Sequence, residues 1–501
     1  MSIIIPEEIK AIGTVLAAAG FEAHLVGGCV RDFLLGREPK DWDIATNALP
    51  EDVQKLFPES VYENKFGTVG IKTGSENLLY AVVEVTTYRT EGAYRDMRHP
   101  DSVAFVKKIE EDLARRDFTV NAFALPFEAL MGTQALEGSV VEGMAGKIID
   151  PFGGLADLKN KIIRAVGGAD ERFTEDALRL MRAVRFAAQL GFTVEEKTME
   201  AVKRHAGLLE AVAKERVRDE LVKIIESDGA GLGIRMLTDT GLMRHVMPEL
   251  LDGVECGQNK HHIYTVYEHN VRALEYTAKQ GYSFEVRLGS LLHDVGKPAT
   301  KRGDGHDSTF YNHEVVGARM ACIMLDRLHF PKKTVEKIAH LVRWHLFYYN
   351  VGEVTEAGVR RFVRKVGPEH IDDLLKVREA DRIGSGVPKA VPYKLRHLMF
   401  MIEKVAKDAI DTRMLALDGT DVMRLGGLTP SPKVGWILAI LLEEVLDDPL
   451  RNAEDVLTLR IKELNALPDA ELKALAATAK DKKEEFERGA EEEIKEKFHV
   501  K

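Results

Sequence analysis

Strand signals in this chain stop near residue 150. Before that point, "EAHLVGG" (22–28) and "YAVVEVTTYR" (80–89) are rich in β-branched residues and bounded by glycine or charge, which is a strand pattern. A helical pattern over Glu7–Ala19 ends at Gly20. After "DPFGGLADL" (150–158) the sequence predicts helix after helix. "TEDALRLMRAVRFAAQLG" (174–191) predicts one helix, with Thr174 as N-cap, acids in its first turn and Gly191 as its stop. Strands confined to one end and helices to the rest predict an α+β protein, a small N-terminal head with a β-sheet followed by an all-α remainder.

A chain of 501 residues is too long for one core. The pattern divides it into 1–150, 151–250, 251–390 and 391–501. A turn-rich segment at 417–432 leads into a last helical region, and "KDKKEEFERGAEEEIKEKF" (480–498) is expected to be a solvated helix without chemistry. The 45% hydrophobic and 30% charged content is that of a globular protein. The longest apolar run near the C-terminus, "VGWILAILL" (434–442), is far short of the roughly 20 residues that span a bilayer. "MSIIIPEE" lacks a secretory pattern, and Cys29, Cys256 and Cys322 form neither a CxxC pair nor a disulfide framework. The expectation is a cytoplasmic protein with no membrane attachment. A net charge of −10 excludes a surface coated in cations, but "ARRDF" (114–118) and "RLMRAVRF" (179–186) are local basic clusters suited to phosphates.

The chemistry begins at "HLVGGCVRDFLLGREPKDWDIATN" (24–47). A strand runs into Gly27 and Gly28, and a helix follows. Without Cβ atoms, this turn lets a phosphate approach the backbone N–H groups, with Arg31 one turn later as a further donor. Taken alone, the same pair describes an ordinary turn. Asp41 and Asp43, at i and i+2, would leave the same face of a strand. Two such carboxylates repel unless a cation lies between them, and Mg²⁺, which prefers oxygen ligands and shares its shell with phosphates, suits them. Glu84, in "AVVEVTTYR", is the candidate third carboxylate from a neighbouring strand, or an ordinary surface residue.

These residues resemble the metal-binding motif of the tRNA nucleotidyltransferase and poly(A) polymerase family, whose head is polymerase-beta-like. "RRDFTVNAFAL" (115–125), "DPFGGLADLKNKIIRAV" (150–166), "EDALRLMRAVRFAAQLGF" (175–192) and "KERVRDEL" (214–221) match the family's further motifs in order. The resemblance implies a catalytic head at 1–150 and a helical neck at 151–250 that recognises the base. It implies that Asp41, Asp43 and Glu84 are catalytic, and that Arg115, Arg116, Asp117 and Asn121 hold the nucleotide. It also implies that Asp176 and Arg179 read the base edge, where spacing alone suggests an intrahelical ion pair. Arg182 and Arg185 would extend the basic side of that helix toward phosphates or RNA.

A carboxylate that accepts from an exocyclic amine, beside an arginine that donates to the adjacent ring nitrogen, fits cytosine and adenine and mismatches uracil and guanine. "KFGTVGIKT" (65–73) stands where poly(A) polymerases carry a basic stretch, and "RTEGAYRDMRHPDS" (89–102) supplies a loop that CC-adding enzymes lack. The resemblance therefore implies CCA addition to tRNA from CTP and ATP, with A-only addition as the alternative.

Residues 251–390 hold a second constellation: His269 in "YEHNV", His293–Asp294 in "LLHDVGKP" and Asp381 in "READR". It resembles the HD class of metal-dependent phosphohydrolases. Imidazoles mixed with carboxylates suit Mn²⁺, Ni²⁺, Fe²⁺ or Zn²⁺. His313 and His345 fall where dinuclear members place extra ligands, and Lys297 is placed to meet a substrate phosphate. Two further readings follow, a hydrolase whose front domain only docks RNA and a non-catalytic tRNA-binding protein. Residues 391–501 are expected to contact tRNA by analogy alone.

Overall fold

A sheet covered on both faces builds the head. In the computed structural model, which describes residues 5–64, 66–92, 102–130, 145–259, 263–303, 305–407 and 415–500, six strands form one sheet in the order β3-β4-β5-β2-β1-β8. The head strands are β1 (Ala23–Val26), β2 (Asp43–Thr46), β3 (Ser60–Asn64), β4 (Thr68–Lys72), β5 (Val82–Thr87), β6 (Arg89–Glu91), β7 (Val103–Phe105) and β8 (Ala124–Pro126). Only β2 and β5 pair in parallel; the other neighbours are antiparallel. Leu25, Ile44, Val83 and Val85 point to one face and join Ile9, Ile12 and Leu16 of helix α1 (Glu7–Ala18) in the core. Val26 and Ala45 point to the other face, where they pack with Ile109 and Leu113 of helix α4 (Ile109–Ala114). Between these helices come α2 (Gly28–Leu34), which starts at the glycine turn, and α3 (Pro50–Leu56). The loop carried by the β6–β7 hairpin, at 93–101, lies outside the described residues.

Helices then take over: α5 (Gly154–Asn160), α6 (Ala169–Glu175), α7 (Leu178–Leu190), α8 (Glu196–His205), α9 (Lys214–Ile225) and α10 (Ala230–Asp239). The single helix expected over 174–191 is two. Asp176 is extended (φ −134°, ψ 103°), and its Oδ1 accepts the Leu178 amide at 3.1 Å. A short acceptor that can bond its own backbone competes with helix propagation, so the aspartate ends one helix and opens the next. Thr174 is therefore not an N-cap. It sits inside α6, and its hydroxyl donates back to the Asp170 and Glu171 carbonyls. Gly191 does stop α7, at φ +70°.

The HD region follows as α11 (Val266–Lys279), α12 (Phe284–Leu292), α13 (His313–Arg327), α14 (Lys332–Trp344) and α15 (Ile371–Gly384). Residues Met1–His345 with Lys376–Val387 form one compact unit, and its main core runs unbroken from Ile5 to Val342. Leu346–Leu375 with Pro388–Lys501 form a second unit. That unit has a core of its own around α16 (Pro432–Asp447), α17 (Glu454–Asn465) and α18 (Asp469–Phe498). The turn-rich 417–432 segment contains a helix, Gly419–Gly426, opened by a capping box between Asp418 and Asp421. Among the described residues no helix is long and apolar enough to cross a membrane.

Candidate functional site: an arginine-lined pocket and a histidine–aspartate centre

β1 leads into Gly27, whose φ of +74° is a backbone state that side-chain-bearing residues rarely adopt. A Cβ there would lie 2.7 Å from Nη1 of Arg116 and 3.6 Å from Oδ2 of Asp43. The bare backbone thus lets a guanidinium and a carboxylate crowd the same turn. Asp41 is not on a strand, because β2 begins at Asp43. The two acids still reach one cavity, because Trp42 between them is buried in the core.

That cavity, of about 500 Å³, is lined by Gly27, Gly28, Arg31, Asp41 and Asp43 from the head's opening motif. Arg115, Arg116, Asp117 and Asn121 line it from the "RRDFTVN" segment, and Asp176, Arg179, Arg182 and Arg185 from the neck. Glu84 is not among its lining residues. It lies in parallel register with Asp43 on β5 and is exposed. Burial pushes the Asp43 carboxyl above its usual range; Arg116 draws it back and the charge of Asp41 raises it further. This is the electrostatic condition that a bound cation relieves, and an all-oxygen pair fits Mg²⁺.

The arginines are held by carboxylates within the protein. Arg182 donates from Nε to Oδ2 of Asp117 at 2.6 Å, and Arg185 meets Glu220 of α9 at 3.0 Å. Asn121 bridges the set, donating to Asp117 at 3.2 Å and accepting from Arg31 at 2.7 Å. Burial would raise Asp117, but Arg182 and Arg179 bring it down to about 2. Burial and the neighbouring Arg182 lower Arg185 to about 10. Phe186 lies beneath the cluster, with the guanidiniums of Arg31, Arg182 and Arg185 at 5.3, 5.2 and 4.2 Å from its ring centre.

Asp176 and Arg179 do not pair with each other through their side chains. Arg216 of α9 grips Asp176 with both terminal nitrogens, at 3.2 and 2.9 Å. Arg179 donates to Glu175 at 2.7 Å and to the Arg172 and Arg115 carbonyls at 3.2 and 2.9 Å. With the Leu178 amide, Oδ1 of Asp176 accepts twice and Oδ2 once, so one acceptor position is left on Oδ2. Arg179 uses three of its five N–H groups and keeps Nε–H and one terminal N–H. A single acceptor next to spare donors is what an amino group beside a ring nitrogen requires. Arg216 lies within the quoted motif "KERVRDEL", but spacing along the chain gave no hint that it faces Asp176.

The second centre is closed. His269, His293, Asp294, His313 and His345 are all buried, and Asp381 is half-buried. Ligand-type atoms of His269, His293 and Asp381 lie within 4.8 Å of one another, as do those of Asp294, His313 and His345. Asp294 joins the groups. Its Oδ2 is 3.1 and 3.4 Å from Nε2 of His269 and His293, while its Oδ1 is 3.3 and 3.6 Å from Nε2 of His313 and His345. The rings are oriented by the backbone: Nδ1–H of His293, His313 and His345 donates at 2.7 Å to the carbonyls of Ser290, Phe310 and Val342. In a neutral ring, such a bond selects the tautomer that leaves Nε2 its lone pair, the form in which an imidazole binds a metal. Burial would lower His293, but Asp294 and Asp381 push it up to about 10. Burial would raise Asp294, but Lys297 and the histidines hold it well below the usual range. Lys297 is 2.5 Å from Asp294 and donates to Gln258 at 2.7 Å, so its ammonium is already engaged.

Comparison with known proteins agrees with this arrangement. The chain matches the Poly A polymerase head domain over residues 23–164, the "Probable RNA and SrmB- binding site of polymerase A" over 191–253 and the HD domain over 266–384. Fold and site thus define a nucleotidyltransferase-type head joined to an HD domain, both of divalent-metal-dependent classes.

The chain is 33% identical to the CCA-adding enzyme of Lactobacillus helveticus (strain DPC 4571) over 452 residues, covering 90% of this chain and 95% of that one. It is 48% identical to the CCA-adding enzyme of Latilactobacillus sakei subsp. sakei (strain 23K) over 238 residues, 47% of this chain. In that match the chain spans about half the relative's length, 54%. The crystal structure of Bacillus stearothermophilus CCA-adding enzyme in complex with CTP superposes with a TM-score of 0.54 at 28% identity, covering 92% of this chain and 97% of that one. The chain belongs to the family of CCA-adding enzymes.

Proposed function

We propose that this protein is a template-independent nucleotidyltransferase that adds CCA to tRNA 3′ ends from CTP and ATP, in the cytoplasm. The observation that carries this reading is the meeting, in one cavity, of the glycine turn, the Asp41/Asp43 pair, the arginines and the Asp176/Arg179 pair. Asp41 and Asp43 would hold Mg²⁺, with Glu84 beside Asp43 in the sheet as a third carboxylate. A Mg²⁺ ion held there would supply Lewis acidity, lowering the pKa of the attacking ribose hydroxyl and offsetting charge on the pyrophosphate.

The chain's own groups do the rest. The Gly27–Gly28 amides and Arg116 receive the phosphates, while Arg182 and Arg185 keep the far side of the pocket cationic. Asp176 accepts the amino group of cytosine or adenine through its remaining Oδ2 position, and Arg179 donates to the neighbouring ring nitrogen. Uracil or guanine would set acceptor against acceptor and donor against donor, at a cost on the order of 1–3 kcal/mol for each mispaired group.

At the second centre, His269, His293 and Asp381 would hold one transition metal ion, such as Mn²⁺, Ni²⁺, Fe²⁺ or Zn²⁺, and His313 and His345 a second, with Asp294 shared between them. The paired donor groups favour phosphoester hydrolysis there, with 2′,3′-cyclic or 3′-phosphate ends of damaged tRNA as the substrate class.

The test is to incubate the full chain with Mg²⁺ and tRNA that lacks CCA, ends in CC, or is intact, giving each labelled nucleotide separately and in mixtures. We expect C on the first substrate, A on the second and nothing on the third. Addition of A to the second with none of C to the first would replace CCA addition by A-only addition. Absence of all incorporation, with phosphate release from cyclic nucleotides, would leave only the hydrolase.

A further inference from the structure

A buried carboxylate that does not line the pocket contacts two of the arginines that do. Asp112, on α4, is 1% exposed. Its Oδ1 accepts from Nε and Nη2 of Arg115 at 3.0 and 2.8 Å and from the Arg89 amide at 3.3 Å. Its Oδ2 lies 3.5 Å from Nη2 of Arg116. Arg115 and Arg116 follow α4 directly, and both side chains fold back to the carboxylate three and four residues earlier. Arg115 reaches on to Glu91 of β6 at 3.1 Å. Arg116 is carried over the glycine turn, its Nη1 against Gly27 and its charge acting on Asp43.

Two adjacent guanidiniums repel each other, and each is a rotamer-rich side chain with conformational entropy to lose. One anion shared between them removes both obstacles. The carboxylate is itself paired and stays ionised although buried. It is not exposed to the cavity, so a nucleotide cannot touch it.

We propose that Asp112 is a positioning residue of the nucleotide pocket, a shared carboxylate that sets the Arg115 and Arg116 guanidiniums side by side to receive the polyphosphate of a nucleoside triphosphate at the Gly27 turn. This rests on the nucleotide-transfer reading above. Asp112 acts through the arginines alone, so its influence scales with the number of phosphates on the ligand and not with the base.

Calorimetric titration of the full chain with CTP and with CMP, in Mg²⁺, tests this in wild type and in Asp112→Asn, with each protein's unfolding midpoint as a fold control. The amide keeps the shape but supplies one acceptor where the carboxylate supplies two. CTP binding should weaken about tenfold in the variant and CMP binding by less than about twofold. In an Arg116→Ala background the same change at 112 should cost distinctly less for CTP, because its effect passes through Arg116.

Equal weakening of CTP and CMP, or no change in either, overturns the assignment. If Asn at 112 prevents folding, Arg116→Lys keeps the charge but cannot span from Asp112 to the Gly27 turn as Nη2 and Nη1 do, and the same CTP-selective loss is expected; an equal loss for both ligands again overturns it. Wild-type protein that binds CTP no more tightly than CMP refutes the pocket reading itself, and that result is visible before any variant is made.

Discussion

The front pocket and the histidine–aspartate centre lie in one compact unit, yet they solve opposite electrostatic problems. The pocket concentrates cations around an open cavity and assigns most of them a carboxylate partner: Arg115 to Asp112, Arg179 to Glu175, Arg182 to Asp117, Arg185 to Glu220 and Arg216 to Asp176. The rear centre buries Asp294, half-buries Asp381 and surrounds them with imidazoles, Lys297 and Arg378. A cluster of arginines can stay folded around empty space only if each is partly neutralised from behind, which leaves the outward N–H groups for a polyanion. A pair of aspartates can stay buried only if cationic or metal-ready groups close over them. On the proposed reading, one site would admit a large, highly charged ligand and release it, and the other would retain a small cation.

The sharpest way to break that division is a reciprocal pair of variants. Asp43→Ala should lower incorporation of labelled CTP by about a thousandfold or more, since it removes a carboxylate from the pair proposed to hold Mg²⁺. Its content of tightly held transition metal, measured by plasma mass spectrometry after dialysis, should stay at the wild-type level. Asp294→Asn should do the reverse, because Asp294 touches both donor groups. It should lose the retained metal while CTP incorporation stays within about twofold of wild type. A single variant that removed both properties would show that the two sites are one system.

A smaller effect separates binding from recognition inside the front pocket. Arg216 holds both oxygens of Asp176 and so fixes the plane of the one acceptor left for a base. Arg216→Ala should reduce the preference for CTP over UTP about tenfold, with less effect on total nucleotide binding. Asp176→Ala should reduce it at least as much, and the double variant no further, because the two act as one unit. Additive losses would mean that Arg216 meets the nucleotide directly.

These contrasts also show where the sequence is legible. Gly27, Gly28, Asp41 and Asp43 could be assigned because strand, turn and acid spacing are local patterns. The His293–Asp294 doublet was likewise legible as a local pattern, whereas the convergence of His269, His313, His345 and Asp381 on it is a product of the fold. The break at Asp176 was not, because the apolar periodicity runs straight through it and only the aspartate's bond to the Leu178 amide interrupts the helix. Nor was Arg216 as a partner of Asp176: forty residues separate them, and only the packing of α9 on α7 brings them together. Asp112 could have been found, since it stands three and four residues before Arg115 and Arg116 on a short helix. It was hidden by the acidic run "EED" (110–112), which resembles an ordinary solvated first turn.

The smallest effect asks whether the pocket's internal pairing stabilises the fold without any ligand. Asp117 is held at about 2, against an ordinary value of 3.8, by Arg182 and Arg179 overcoming the opposite pull of burial. A depressed carboxylate favours the folded state wherever it is ionised in the fold and would bind a proton more readily in the unfolded chain. That contribution is complete above about pH 4 and is lost as the pH falls through about 2, reaching about 2 kcal/mol at neutral pH. Asp117→Asn should therefore be less stable to denaturant than wild type by about that amount at pH 7, with the gap narrowing between about pH 4 and 2. The gap should be the same with and without divalent metal, because the pairing is internal to the front pocket. A gap that persisted at pH 2, or one that appeared only with metal present, would show that the arginines are not balanced from within, and the contrast between the two sites would lose its physical basis.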